Sequence, residues 1–194
     1  MTKLDVVVLA GGRSRRMGRD KALLEIDGER MIDRAVDRMS VLGGQVVVAS
    51  GATRSISGLE EPQVRDRVSD GGPLAGIEAG LEVAGSELVA VVGVDLPDSS
   101  PEVLRHLSEA WDGNPVGIAP VVRGRCQPLH ACWVRSAKAV VTEALDAGKR
   151  SVTTLFIDAG GQLAGPEVWG ELDPSASFVR NVNRPEDLRR RSAD

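Results

Sequence analysis

Leu9-Ala10-Gly11-Gly12-Arg13-Ser14-Arg15-Arg16-Met17-Gly18-Arg19-Asp20-Lys21 continues an apolar run, Val6-Val7-Val8-Leu9. A valine-rich run of that length reads as a buried strand, so the loop leaves the carboxyl end of a first strand. Two adjacent glycines let backbone N–H groups approach an anion closely, because no Cβ intervenes and positive φ costs little. The arginines and the lysine that follow carry enough positive charge to hold a polyphosphate. The spacing matches neither the G-x-x-x-x-G-K-[ST] of a P-loop nor the G-x-G-x-x-G of a dinucleotide fold. A glycine-rich turn after a strand, closed by cations in this order, reads as a nucleoside triphosphate site rather than a solvated basic turn.

The pattern around this loop is α/β. Residues 5–9, 45–49 and 88–94 are valine-rich and of strand length. Between them, residues 31–42 show helical spacing at Ile32, Val36 and Met39 and end at Gly43-Gly44. Residues 74–83 form a second helix opened by Gly72-Pro73, and residues 101–111 a third with Ser100 as N-cap. Strands separated by helices imply parallel βαβ units. In the second half, strands are expected at 116–122 and 129–134 around a turn at Arg123-Gly124-Arg125, helices at 137–145 and 152–157, a last strand at 177–182 and a closing helix at 185–191. One three-layer α/β/α domain over residues 1–194, with a Rossmann-like, mostly parallel sheet, is the expected fold.

Composition narrows the partners. With 194 residues and a net charge of −4, the chain can build a sizeable core but offers no basic face to a nucleic acid. Two Phe, three Trp and no Tyr leave few platforms for stacking bases. No apolar run approaches the roughly 20 residues that cross a bilayer, and Met1-Thr2-Lys3-Leu4-Asp5 lacks the apolar stretch of a signal peptide. The expectation is a cytoplasmic protein without membrane or nucleic-acid partners. Cys126 and Cys132 do not have zinc-site spacing and are expected to be reduced and buried.

Ligands of open parallel sheets sit beyond the carboxyl ends of the strands. Three segments fall on that edge: the Gly-rich loop, Asp66 to Gly76, and Asp95-Leu96-Pro97. Asp95, ending a buried strand and followed closely by a proline, is the candidate metal ligand. Mg²⁺ suits it, since that ion takes one or two carboxylates and completes its shell with phosphate and water oxygens. Lys21 would offset the charge that builds at an α-phosphorus, and Arg16 could clamp β and γ oxygens through its planar fork. Gln127 and His130 mark a polar patch that opens a strand. His130 reads as part of an acceptor pocket or as a packing residue, and a general-base role is the weaker reading. Asn181-Val182-Asn183 supplies two further polar groups, of which one is expected to face the site; turn chemistry before Pro185 competes with that role. Lys149-Arg150-Ser151, at a helix boundary, is a candidate second anion site.

The opening motif, L-A-G-G-x-S-x-R-M-G-x-D-K, resembles the signature loop of nucleotidyltransferases of the nucleotide-diphospho-sugar transferase type. Together with Gly72-Pro73-Leu74-Ala75-Gly76, Asp95-Leu96-Pro97, Gln127-Pro128-Leu129-His130, Gly148-Lys149-Arg150-Ser151 and Asn181 to Leu188, it makes the chain resemble the molybdenum cofactor guanylyltransferases over nearly its whole length. The resemblance implies transfer of GMP from GTP to the terminal phosphate of molybdenum-loaded molybdopterin, releasing pyrophosphate. It implies a GTP-binding half at about residues 1–100 and an acceptor-binding half at about 101–194. Leu9, Ala10, Gly11 and Gly12 would hold GTP, Lys21 its phosphates, Asp66 the nucleoside, and Asp95 both Mg²⁺ and nucleotide. Gln127, His130, Asn181 and Asn183 would face the molybdopterin, and cofactor insertion proteins or apoenzymes would be the onward partners. The family often has an asparagine after the second core strand; here Ala49 and Ser50 stand there. The nearest rival is a molybdopterin cytidylyltransferase, whose loop opens Leu-Ala-Ala-Gly; glycine at position 11 would then leave room for the larger purine. A sugar-1-phosphate nucleotidyltransferase and a non-catalytic cofactor chaperone are more distant rivals.

Overall fold

The valine-rich runs become strands because both faces of the sheet are covered by helices. In the computed structural model, which describes residues 3–11, 21–53 and 55–182, β1 (Leu4–Leu9) is buried at every position. A short hairpin of β2 (Glu25–Ile26) and β3 (Glu29–Arg30) leads into α1 (Met31–Ser40), then β4 (Gly43–Ala49) and β5 (Gln63–Val64). Next come α2 (Pro73–Val83), β6 (Leu88–Gly93) and α3 (Pro101–Ala110). The second half adds β7 (Gly117–Val122), β8 (Arg125–Cys126), β9 (His130–Val134), α4 (Lys138–Asp146), α5 (Val152–Asp158), β10 (Gln162–Ala164) and α6 (Pro166–Trp169).

The main sheet runs β10-β7-β9-β6-β1-β4-β5, with β8 paired to β7. All neighbours on the path are parallel except at β9, which runs antiparallel to both β6 and β7. The reversal is local. A turn at Arg123 and Gly124, both at positive φ, folds β8 back on β7 before β9 enters the sheet. Since β9 reverses twice, β7 again runs parallel to β6.

Period-two alternation divides the strand residues between two layers. On one face, Val6, Val8, Val48 and Val92 pack with Ile32, Val36 and Met39 of α1 and Leu104 and Leu107 of α3. On the other, Val7, Leu9, Val89 and Val91 pack with Leu74, Ile77 and Leu81 of α2, Val141 of α4 and Phe156 of α5. Ser100 caps α3 by accepting from the amide of Val103, as its position before Pro101 suggested.

The expected strand at 177–182 is not one. Asp173 accepts from the hydroxyls of Ser175 and Ser177 and from the amide of Phe178, and Ala176 takes φ 53°. Those bonds close a 3₁₀ turn over Ser177–Val179 and bury Phe178. The closing helix expected at 185–191 lies outside the described residues.

Gly76 and Gly80 let α2 lie close on the sheet. A Cβ at Gly80 would enter the two methyls of Val7, and one at Gly76 would lie 2.9 Å from Leu9 Cδ2. Valine cannot swing aside as leucine can. Gly80→Ala should therefore destabilise the protein by about 1–3 kcal/mol in denaturant unfolding. Gly80→Ala/Val7→Ala should recover part of what the two single changes lose; strict additivity would contradict the contact.

Candidate active site

Three parallel strands end together. Past β1, the Ala10 amide donates to the Ala49 carbonyl (2.9 Å), and past β6 the Val94 amide donates to the Leu9 carbonyl (3.1 Å). These sheet bonds occupy part of the backbone expected to hold nucleotide. The Gly11 amide has no hydrogen-bond partner among the described residues. A Cβ at Gly11 would lie 2.9 Å from Gly51 N and 3.0 Å from Gly51 Cα. The glycine is thus needed because two backbones approach one another, with Gly51 at φ 93°. This gives the glycine a backbone-packing role beside the expected one of clearing space for a purine. Ala49 and Ser50 are both buried, and Ser50 is fixed by its amide on the Val64 carbonyl (3.1 Å) and its hydroxyl on the same oxygen (3.4 Å). Ser50 is thus held on the backbone of β5 at the place where the family often has an asparagine.

Asp95 follows β6 on a tight turn in which Leu96 N donates to Gly93 O and Ser99 N to Leu96 O. A Cβ on Gly93 would lie 2.6 Å from Asp95 Oδ1, so glycine there lets the carboxylate fold over the strand end. Lys21 Nζ lies 3.3 Å from Asp95 Oδ2, both side chains about one-quarter exposed. Residues 74 apart in the chain are thereby joined at the sheet edge. Two arginines of α1 hold the same turn: Arg34 Nε donates to Pro97 O (3.2 Å) and Arg38 Nε to Ser99 O (2.9 Å).

Asp66 is placed by its amide on the Gly51 carbonyl (3.4 Å), beside the glycine loop. Its Oδ1 is buried with no partner and lies against Gly76 of α2. Burial, with the negative charge of Glu78 added, pushes this carboxyl up to about 6.

The acceptor candidates are not gathered as expected. His130 is wholly buried: Nε2 accepts from the Ser100 amide at 2.9 Å, and the ring stacks on Phe178 with centroids 4.7 Å apart. Burial pushes its pKa down to about 3, so it is a neutral packing and capping group. This removes the expected direct contact with an acceptor and any general-base role. Gln127 is half-buried at the hairpin, its amide on Pro120 O and its side chain on Arg125 O. Asn181 is exposed, and the next residue, buried Val182, donates its amide to the Asp95 carbonyl (2.9 Å), which brings the segment to the site. Residues two apart share a side of any extended chain, so the expectation that only one asparagine could face the site does not hold. Gly12, Arg16 and Asn183 lie outside the described residues.

Arg150 and Ser151 are used locally. Arg150 donates to the carbonyls of Asp70, Leu145 and Lys149, and Ser151 caps α5 by accepting from the Thr154 amide. Their polar groups already serve the backbone, which corrects the second anion site. Cys132 is buried and Cys126 half-buried, both free, and burial pushes the two thiols up to about 12 and about 11. Sequence reasoning missed Glu78, a buried acid bonded to Arg67 and Thr142. Its one signal was an acid inside the apolar helix Leu74-Ala75-Gly76-Ile77-Glu78-Ala79-Gly80-Leu81.

Among the described residues no three His, Cys, Asp or Glu side chains gather into a metal cage. The donor present fits an ion that takes few protein ligands: one partly exposed carboxylate, a hard oxygen donor beside an ammonium. No helix among the described residues is long and apolar enough to cross a membrane.

A mostly parallel sheet with a glycine turn, a lysine and an aspartate on its carboxyl edge defines a nucleotidyltransferase. Residues 6–161 match the MobA-like NTP transferase domain. A probable molybdenum cofactor guanylyltransferase of Pelotomaculum thermopropionicum is 34% identical over 94% of this chain and 88% of its own length. One of Opitutus terrae is 35% identical over 93% and 90%. The crystal structure of molybdopterin-guanine dinucleotide biosynthesis protein A from Archaeoglobus fulgidus superposes with a TM-score of 0.81 at 26% identity, covering 96% of each chain. A 2-C-methyl-D-erythritol 4-phosphate cytidylyltransferase from Thermus thermophilus shares the fold, with a TM-score of 0.70 at 19% identity over 99% and 98% of the chains. The chain belongs to the MobA-like NTP transferase family, whose members generally use a divalent metal.

Gly11→Ala should weaken GTP and CTP binding alike, by tenfold or more in a titration, since it displaces the Gly51 backbone rather than filling a base pocket. A change in the GTP-to-CTP ratio would restore the purine-clearance account. Asp66→Asn should raise Tm at pH 7.5. The carboxyl's folded pKa lies above its unfolded value, so its ionised form costs stability, a cost absent below pH ~4 and complete above about 6. Discounted for partial solvent exposure to roughly 1 kcal/mol, the gain is about 2–4 °C at this chain length.

Proposed function

We propose that this protein transfers GMP from GTP to the terminal phosphate of molybdenum-loaded molybdopterin, with Mg²⁺ and release of pyrophosphate. The observation that carries the reading is the Lys21–Asp95 pair at 3.3 Å on the carboxyl edge of the sheet, next to the Gly11–Gly51 backbone contact. The names of the relatives supply the guanine and the pterin; the geometry supplies the triphosphate chemistry.

The acceptor phosphate is ionised near neutral pH, so it attacks without a base, and buried His130 is not needed for the step. An acceptor oxygen forms a bond to the α-phosphorus as the bond to the pyrophosphate oxygen breaks, and the electron pair leaves on pyrophosphate. Lys21 offsets negative charge on the phosphates, Arg16 clamps the β and γ oxygens, and the Gly11 and Gly12 amides cradle them with Leu9 and Ala10 behind. Asp95 holds Mg²⁺, which when bound neutralises phosphate charge and orients the leaving group. Asp66 accepts from donors of the nucleoside. Asn181, Asn183 and Gln127 face the molybdopterin. Catalysis by positioning and charge neutralisation suffices for this reaction class. The work would take place in the cytoplasm, with cofactor insertion proteins or apoenzymes receiving the product.

The test titrates GTP, CTP, ATP and UTP with magnesium into wild type and Asp95→Ala, then follows pyrophosphate release with molybdopterin as acceptor. GTP should bind at least tenfold more tightly than the others. Asp95→Ala should lower turnover by about 100-fold or more, the usual scale for losing one charge-stabilising group. Preference for CTP would move the assignment to a cytidylyltransferase. Acceptor binding without pyrophosphate release in wild type would point to a carrier of the cofactor.

A further inference from the structure

Buried carboxylates need a cation or several N–H donors around them. Asp66 and Glu78, neighbours in space, divide those partners unequally. Glu78 of α2, only 3% exposed, accepts from Arg67 Nε at 3.1 and 3.2 Å, from Arg67 Nη2 at 2.8 Å and from the Thr142 hydroxyl at 2.7 Å. The same Arg67 reaches Asp146 of α4 at 2.9 Å. Asp66, one residue before Arg67, has a buried Oδ1 without a partner. Glu78 of α2 is the charged group that acts on Asp66; Arg65 and Arg67 flank it in the chain, and Arg67 is held by Glu78 and Asp146. The end of β4 contributes only the Gly51 carbonyl, on the Asp66 amide.

We propose that Glu78 is a positioning residue for the nucleotide site, anchoring Arg67 and with it the Asp66 carboxyl, and that its fixed negative charge acts on Asp66. The inference rests on the reading of Asp66 as a nucleoside contact. A planar guanidinium gripped along one edge by Glu78 and held by Asp146 has little freedom, so it pins the backbone of residues 66–67 between α2 and α4. Arg67 and Thr142 satisfy the Glu78 carboxylate, and its negative charge opposes ionisation of Asp66 together with burial. Asp66 in its ionised form is acceptor-only and suits donors on a nucleoside; protonated, it loses half of that capacity. Nucleotide affinity should therefore fall as pH drops through about 6.

The experiment measures GTP affinity with magnesium between pH 5 and 8 for wild type, Glu78→Gln, Arg67→Lys and Thr142→Val, with thermal unfolding in parallel. Asp66→Asn, lacking the carboxyl, supplies the pH dependence of the nucleotide itself. Glu78→Gln keeps an acceptor for Arg67 but removes the charge. Its inflection should move to lower pH, and at pH 7.5 its affinity should fall five- to tenfold with kcat within twofold. Thr142→Val keeps the charge and should leave the inflection in place. Arg67→Lys, on the exposed side of the network, should weaken GTP by a similar factor even if Glu78→Gln fails to fold. Affinity and inflection unmoved by Glu78→Gln, or affinity unmoved by Arg67→Lys, would overturn the proposal whatever happens to Tm. Absence of GTP binding by wild type would overturn the nucleotide reading as well.

Discussion

The meeting of three parallel strand ends in one plane is the constraint on which the site depends. β1 has β4 on one side and β6 on the other, so its carboxyl end has no lateral freedom. Hydrogen bonds from Ala10 and Val94 extend the pairing one residue past the strands, with glycine at 11, 51 and 93 where the three strands end. A side chain at Gly11 would collide with the Gly51 backbone, and one at Gly93 with Asp95. Glycine here acts through approach distance as much as through dihedral freedom, because only Gly51 of the three has positive φ. The covered faces of the sheet supply the rigidity. Two apolar layers hold the strands, so the edge carries its polar groups without having to stabilise itself.

On that edge two aspartates meet opposite environments. Asp95 faces an ammonium and lies in a turn held by Arg34 and Arg38 of α1. Asp66 faces a carboxylate and has an unsatisfied oxygen. Beside an ammonium, Asp95 offers a hard oxygen donor of the kind proposed to hold a metal; burial and the charge of Glu78 make Asp66 hold its proton more readily. An unpartnered buried oxygen weakens the fold, and such a cost is typical where a ligand completes the hydrogen bonding.

Much of this was legible because it is local. Valine runs gave β1, β4 and β6, and the spacing of Ile32, Val36 and Met39 gave α1. Gly11 and Asp95 lie on the same edge because parallel strands all end there. The strand expected at 177–182 fails for a local reason: Asp173-Pro174-Ser175 carries turn chemistry, and the Asp173 carboxylate closes a turn on Ser177 and Phe178. The rest of what stayed hidden depends on long-range contact. His130 sits in a polar-looking stretch, yet its ring is buried by Phe178 and the start of α3, which come from distant parts of the chain. Glu78 has its role only because Arg67 and Thr142 meet it from two other segments. Gly11 was singled out for the room it leaves, and only the fold shows that its neighbour is Gly51.

The division into a nucleotide half and an acceptor half also changes meaning at Asp95. Its turn is built by residues from both sides of the proposed boundary near 100. Arg34 and Arg38 hold the carbonyls of Pro97 and Ser99 from the first half, while His130 accepts the Ser100 amide from the second. The Gly93 amide donates to Leu129, and the Asp95 carbonyl accepts from Val182. Removing either set would leave the turn with buried, unpaired backbone groups, each costing about 1–3 kcal/mol. Beyond the acceptor surface proposed for it, the second half completes the hydrogen bonding of the turn that presents the proposed metal ligand. A reaction that joins two phosphates in line needs both substrates fixed against the same carboxylate, and a turn anchored from both halves provides that common reference.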